Sequence, residues 1–102
     1  MLFVGMSHEF EGAQHDTNTS FFWVIAEPGG GPRLHRHKYD EVVYVISSRP
    51  HWTVNGQERE AKGGDVLVAK AGEPQKFVSS DADPVRQIDI CLNATLEQEL
   101  LE

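Results

Sequence analysis

Apolar residues along this chain come in short runs, each closed by a cluster of turn formers, and several runs alternate with a period of two. That is the patterning of strands rather than helices. Phe21-Phe22-Trp23-Val24-Ile25-Ala26 is dense in aromatic and β-branched side chains and runs into Glu27-Pro28-Gly29-Gly30-Gly31-Pro32, which predicts a buried strand followed by a tight loop. Residues 39–46 are apolar on both faces and stop at Ser47-Ser48-Arg49-Pro50, which predicts a strand covered on both sides.

His51-Trp52-Thr53-Val54 leads into Asn55-Gly56, the strongest two-residue hairpin signal, and Gln57-Glu58-Arg59-Glu60 returns as an exposed strand. Alternation puts Pro50, Trp52 and Val54 on one face, so Trp52 reads as core and His51 as solvent-facing. Val66-Leu67-Val68-Ala69 reads as another buried strand between two Gly-rich turns, and the second turn delivers Gln75 and Phe77 onto the same face of the next strand. Residues 5–20 fit a short edge strand and a loop, 79–84 a polar loop, and 85–92 a last strand with Arg86, Ile88, Ile90 and Leu92 on one face. Thr95-Leu96-Glu97-Gln98 matches a helix capping box, and Leu96 with Leu100 four residues on predicts a short C-terminal helix. Seven or eight short strands and one terminal helix define an all-β domain, a sandwich or barrel.

A length of 102 residues accommodates one domain, 1–102, and 39% hydrophobic with 25% charged residues is ordinary globular composition. Nine basic against 16 acidic residues give a net charge of −7, the wrong sign for a nucleic-acid partner. The longest apolar run, residues 21–26, is far too short to cross a bilayer, and Met1-Leu2-Phe3-Val4-Gly5-Met6 has no signal-peptide character. Cys91 is the only cysteine, so no disulfide forms within the chain and a cytoplasmic location is expected. Its neighbours Ile90 and Leu92 mark it as a buried small hydrophobe rather than a reactive thiol. The glycines at 29–31 are turn chemistry, because no helix follows to complete a phosphate cradle.

The candidate chemistry lies in Arg33-Leu34-His35-Arg36-His37-Lys38-Tyr39-Asp40-Glu41. His35, His37 and Glu41 all occupy odd positions, and an unbroken strand would aim all three to one side. Two imidazoles and a carboxylate suit divalent first-row metals, with open positions left for a substrate. The competing reading of the same charged run is a solvated strand start. His8 and His15 have no ligand-like neighbours and read as surface histidines; Tyr44, on the face opposite Glu41, reads as core, and Glu73, in a turn, as solvated. Gln75 shares a face with Phe77, and an amide buried there without a partner costs about 1–3 kcal/mol, so it needs a hydrogen bond or a ligand role.

Gly29-x5-His35-x-His37-x3-Glu41 resembles the first signature of the cupin superfamily, and the stretch from Gly64-Asp65 to Phe77 resembles the second. The resemblance covers roughly residues 20–92, the barrel core, and the motifs are separated by the short interval of small single-domain bacterial cupins. It implies a double-stranded β-helix, or jelly roll, holding a divalent metal ion (Fe, Mn, Ni or Zn) on His35, His37 and Glu41. The family's fourth ligand is a histidine, and this chain has Gln75 there; Ser48, Lys70 and Ser79 also depart from the pattern. Gln75 is then a fourth ligand, a substrate-binding group beside a three-ligand metal, or the mark of a site that has lost its metal. The function implied is Lewis-acid or oxygenase-type chemistry on a small carbonyl, enol or sugar-like molecule, as in an isomerase, lyase or dioxygenase. The alternative is a non-catalytic sugar- or acid-binding cupin with a degenerate metal site. The expected partners are a small-molecule ligand and a second copy in a homodimer, for which residues 21–23 are a candidate contact.

Overall fold

Asn55 and Gly56 both adopt positive φ, 52° and 79°, the backbone that a two-residue hairpin turn requires and that this pair adopts at little cost. The turn joins β5 (Pro50–Val54) to β6 (Gln57–Glu60) with Val54 opposite Gln57, as the sequence predicts. The same logic of short runs and abrupt turns organises the rest of the chain. The computed structural model describes residues 6–79 and 82–102. The readings made for residues 1–5 and for Ser80 and Asp81 lie outside the described residues.

The remaining strands are β1 (Met6–Phe10), β2 (Ser20–Ala26), β3 (His35–Arg36), β4 (Glu41–Ser47), β7 (Val66–Ala69), β8 (Gln75–Ser79), β9 (Val85–Cys91) and β10 (Glu99–Leu100), with a 3-10 turn at Gly12–His15. They form two antiparallel five-stranded sheets, ordered β1-β2-β9-β4-β7 and β10-β3-β8-β5-β6. From β3 to β5 and from β7 to β10 each strand lies in the sheet opposite its predecessor, whereas the β5–β6 hairpin and the β1–β2 pair each stay within one sheet. This is the double-stranded β-helix, with the inner faces of both sheets sharing one core.

Alternation decides what fills that core. Phe22, Val24 and Ala26 of β2, Val43 and Val45 of β4, and Val85 and Cys91 of β9 point in from one sheet, and Trp52 and Phe77 meet them from the other. The Trp52 and Phe77 ring centroids lie 4.9 Å apart. Gly31 keeps the loop after β2 against β8: its φ is 149°, and a Cβ there would overlap the backbone carbonyl of Phe77.

Four expectations are corrected. The C-terminal helix does not form: residues 92–98 are irregular, and Glu99–Leu100 is a strand paired with His35 and Arg36. β7 is a sheet edge rather than a buried strand, with Val66 60% and Val68 53% exposed. β4 is covered on one face only, since Tyr44 and Ile46 are exposed, so Tyr44 lies opposite Glu41 as expected but not in the core. The stretch from His35 to Glu41 is not one strand: β3 and β4 belong to different sheets.

Candidate metal centre

The break between β3 and β4 is what builds the site. His35 ends its inward-facing course in one sheet, opposite Gln75 of β8 and Leu100 of β10. Residues 37–40 cross to the other sheet, where Glu41 opens β4 between Cys91 of β9 and Ala69 of β7. Because both sheets turn their inner faces to one interior, the odd positions stay inward through the crossing. His35, His37, Glu41 and Gln75 are all buried, at 2%, 4%, 1% and 2% exposure.

His37 Nε2 lies 3.0 Å from Glu41 Oε1, yet off the line that a hydrogen bond needs, so this nitrogen has no hydrogen-bond partner. Gln75 Nε2 donates to the same Glu41 oxygen over 3.4 Å, which leaves Gln75 Oε1 unpartnered. The rings of His35 and His37 stand edge to face with centroids 4.9 Å apart. The Cys91 thiol approaches Glu41 Oε1 at 4.0 Å.

The outer nitrogens of both imidazoles are engaged. His35 Nδ1 donates to the Arg33 carbonyl at 2.7 Å, and His37 Nδ1 donates to the Glu97 carbonyl at 2.6 Å. A carbonyl only accepts, so each Nδ1 carries a proton and each neutral ring presents its lone pair on Nε2. Metal-ligating histidines are held by such carbonyl contacts. Burial lowers the His35 pKa below the usual histidine value, against the opposing pull of the Arg33 carbonyl. At His37 burial works in the same direction, but the contact with Glu41 and the Glu97 carbonyl outweigh it and raise the pKa.

The donors do not close on a single point: among the described residues no group of three or more His, Cys, Asp or Glu side chains has the geometry to hold a metal ion. Their chemistry nonetheless fits one. Two neighbouring donors on a metal with bonds of roughly 2.1 Å at right angles stand about 3 Å apart, which is the separation of His37 Nε2 from Glu41 Oε1. Gln75 Oε1 adds a buried acceptor with nothing to accept.

Three residues that the sequence reading did not assign to the site also belong to its surroundings. Tyr39 stacks on His37, 4.8 Å between centroids at 22°, and its hydroxyl donates to the Glu97 carbonyl at 2.8 Å while accepting from the Glu97 amide at 3.1 Å. Asp89 is buried at 2% exposure in β9 and accepts a 2.8 Å hydrogen bond from Gln87 Nε2. Burial, then the nearby Glu41 charge, pushes the Asp89 carboxyl well above the usual carboxylate range. The apolar residues Ile88, Ile90 and Leu92 draw attention to the other face of that strand, but the register of Cys91 opposite Glu41 turns Gln87 and Asp89 inward. His8 and His15 lie on the surface as expected, and Glu73 caps its turn through the Lys70 amide at 2.7 Å. Two cavities reach His37. One of about 290 Å³ lies between the β1 side and residues 96–98, and one of about 600 Å³ runs past Arg36, Lys38 and Gly72.

Comparison with known proteins matches residues 22–91 to the model of the Cupin domain family. None of the curated proteins matches the chain. Among solved structures, Bacillus subtilis oxalate decarboxylase, described for its Mn(II) centers, superposes with a TM-score of 0.85 at 21% identity over 96% of this chain and 28% of that one. The formate complex of Lactobacillus farciminis oxalate decarboxylase gives 0.88 at 18% identity, over 96% of this chain and 31% of that one. An uncharacterized Klebsiella pneumoniae protein with a double-stranded beta-helix domain gives 0.84 at 20% identity, over 97% of this chain and 85% of that one. The chain thus spans less than a third of the decarboxylases, and these likenesses concern the fold.

Proposed function

Since this chain belongs to the cupin domain family, we propose that it is a metal-binding cupin acting on a small carbonyl, enol or sugar-like molecule. His35, His37 and Glu41 are its metal ligands and Gln75 Oε1 its fourth donor. The observation that supports this reading is the pair of imidazoles whose Nδ1 protons are spent on the Arg33 and Glu97 carbonyls, which makes Nε2 the donor nitrogen of each ring and sets that of His37 3.0 Å from the buried Glu41 carboxylate. The Mn(II) centers described for the Bacillus subtilis neighbour agree with a divalent ion, here Fe, Mn, Ni or Zn. Bound there, such an ion supplies Lewis acidity toward a carbonyl or enol oxygen, or oxygenase-type chemistry when it is Fe(II).

The chain's own residues supply the rest. Glu41 would offset part of the charge of a bound ion, Tyr39 and the Glu97 backbone hold the His37 ring, and Phe22, Trp52 and Phe77 supply the apolar packing of the core. A non-catalytic binding cupin is the second reading, favoured by Gln75 in place of the family's histidine. Metal analysis decides the first point. The purified chain, reloaded with Fe, Mn, Ni or Zn, should hold more metal than the His35→Ala/His37→Ala variant, and equal content would overturn the reading. Turnover across sugars, keto acids and hydroxy ketones then separates enzyme from binder.

The chain is further assigned to a homodimer. Along β2, β4, β7 and β9 every outward position is apolar except Arg86, while the protein as a whole carries −7. Two copies can meet on this face without bringing carboxylates together. The lone thiol, buried in the core, suits a reducing cytoplasm.

A further inference from the structure

Among the described residues the barrel interior buries two carboxyls, Glu41 and Asp89, and no Lys or Arg. Glu41 has a place among the metal donors; Asp89 has none. It stands one inward step before Cys91 on β9, about 7 Å along the strand. That step puts it in the row of Phe22 on β2 and Val43 on β4, not in the row of Glu41. Gln87 Nε2 donates to its Oδ1 at 2.8 Å. The ionisable groups that share this interior are Glu41 of β4, Cys91 of β9, His35 of β3, and His37 and Tyr39 of the crossing, while β2, β5, β7 and β8 bury none.

Gln87 supplies the second observation. It has no exposure at all, and its Oε1 has no hydrogen-bond partner. An ionised carboxylate only accepts, so it serves the amide N–H and leaves that oxygen bare. A protonated Asp89 carries the O–H donor that the amide oxygen lacks, and acid and amide then satisfy each other. The neutral acid also avoids burying a second negative charge with no cation to balance it. Burial, then the Glu41 charge, keep the Asp89 proton on well above the usual carboxylate range. A divalent ion on His35, His37 and Glu41 reverses this balance, because its two positive charges exceed the one of Glu41 in an interior that screens poorly. We infer that Asp89 and Gln87 form an acid–amide pair that keeps one proton inside the metal-free barrel and releases it to solvent when a divalent metal binds, so that two carboxylates balance the ion. Metal and proton then compete. Affinity falls by a further factor of about ten for each unit that the pH is lowered, as long as metal-free Asp89 holds its proton. This rests on the metal reading above and gives Asp89 a charge-balancing part in it rather than a ligand's.

Calorimetric titration of Zn(II) into the chain at neutral pH, repeated in buffers of different ionisation enthalpy, counts the protons released. The parent is expected to release about one proton more per metal than Asp89→Asn, whose amide has none to lose. Any proton from His35 or His37 is common to both chains and cancels. A carboxylic-acid C=O band in the infrared spectrum of the metal-free parent, lost on saturation with Zn(II) and lacking in the variant, identifies the group. Equal release by parent and variant overturns the inference while the metal reading stands. So does a metal-free parent without the band, or one whose band survives Zn(II); these are read on the parent alone and decide the matter where Asp89→Asn does not fold. A chain that takes up no Zn(II) at the start overturns both.

Discussion

His37 Nδ1 lies 2.6 Å from the carbonyl oxygen of Glu97, sixty residues further along the chain. The irregular segment that precedes the last strand therefore reaches back over the site and fixes the ring that faces Glu41. Tyr39 completes the clamp from below, with its hydroxyl bonded to both the carbonyl and the amide of Glu97.

Tyr39→Phe removes that hydroxyl while keeping the stack on His37. Two backbone groups of Glu97 each lose a partner, so unfolding free energy should fall by about 1–2 kcal/mol. If the clamp orients His37 for a metal, affinity should fall by roughly tenfold or more, the usual effect of removing such a support. Urea denaturation and a Mn(II) or Zn(II) titration on the same preparation give both numbers. Lower stability with unchanged affinity would mean that the Glu97 carbonyl holds the ring unaided.

Gln75→His probes the fourth corner. Gln75 is buried, faces Glu41 and carries an unpartnered Oε1, and imidazole is the stronger donor toward late first-row metals. Affinity for Zn(II) or Ni(II) should rise at least tenfold, read by competition with a chelating dye. No gain would place Gln75 Oε1 away from the metal and make it a substrate contact.

Cys91 should be inert in the folded protein. It has no exposed surface, and burial, followed by the charges of Glu41 and Asp89, pushes its thiol well above the usual cysteine value. Only the thiolate reacts readily. A disulfide reagent should label no thiol in the native chain and one per chain in denaturant. Rapid native labelling would show that β9 opens locally.

What the sequence made legible was local. The Asn55-Gly56 hairpin is written in two adjacent residues, and Gln75 with Phe77 in simple alternation. The metal candidates were found through an unbroken strand that does not exist; their parity survives because both sheets face one interior. The C-terminal helix failed for the opposite reason. A capping box and a Leu96–Leu100 pair are sound local signals, but a helix there would turn the Glu97 carbonyl toward the Leu101 amide. That amide instead donates to Leu34 at 2.9 Å, the carbonyl serves His37 and Tyr39, and Arg36 pairs with Glu99 at 2.9 Å. Asp89 escaped notice because burial of an acid has no local signature; only its register beside β4 reveals it.

The outer face of the β1-β2-β9-β4-β7 sheet supports the remaining prediction. Trp23 is 38% exposed, Tyr44 46%, Ile46 39%, Val66 60% and Val68 53%, and all point away from the core on strands β2, β4 and β7 of this one sheet. With Leu92 they expose on the order of 500 Å², as large as the greatest apolar patch of a typical monomer. Adding the half-buried neighbours approaches the roughly 800 Å² per partner of a stable interface. A two-fold dimer places the same patch on itself, so one substitution introduces a charge on both sides of the contact. Tyr44→Glu/Val66→Glu alters two exposed outward positions directly opposite each other on β4 and β7. The parent chain should sediment as a dimer at micromolar concentration, and the variant as a folded monomer with an unchanged circular dichroism spectrum. A parent that is monomeric at these concentrations, or a variant that remains dimeric, would remove this face as the contact.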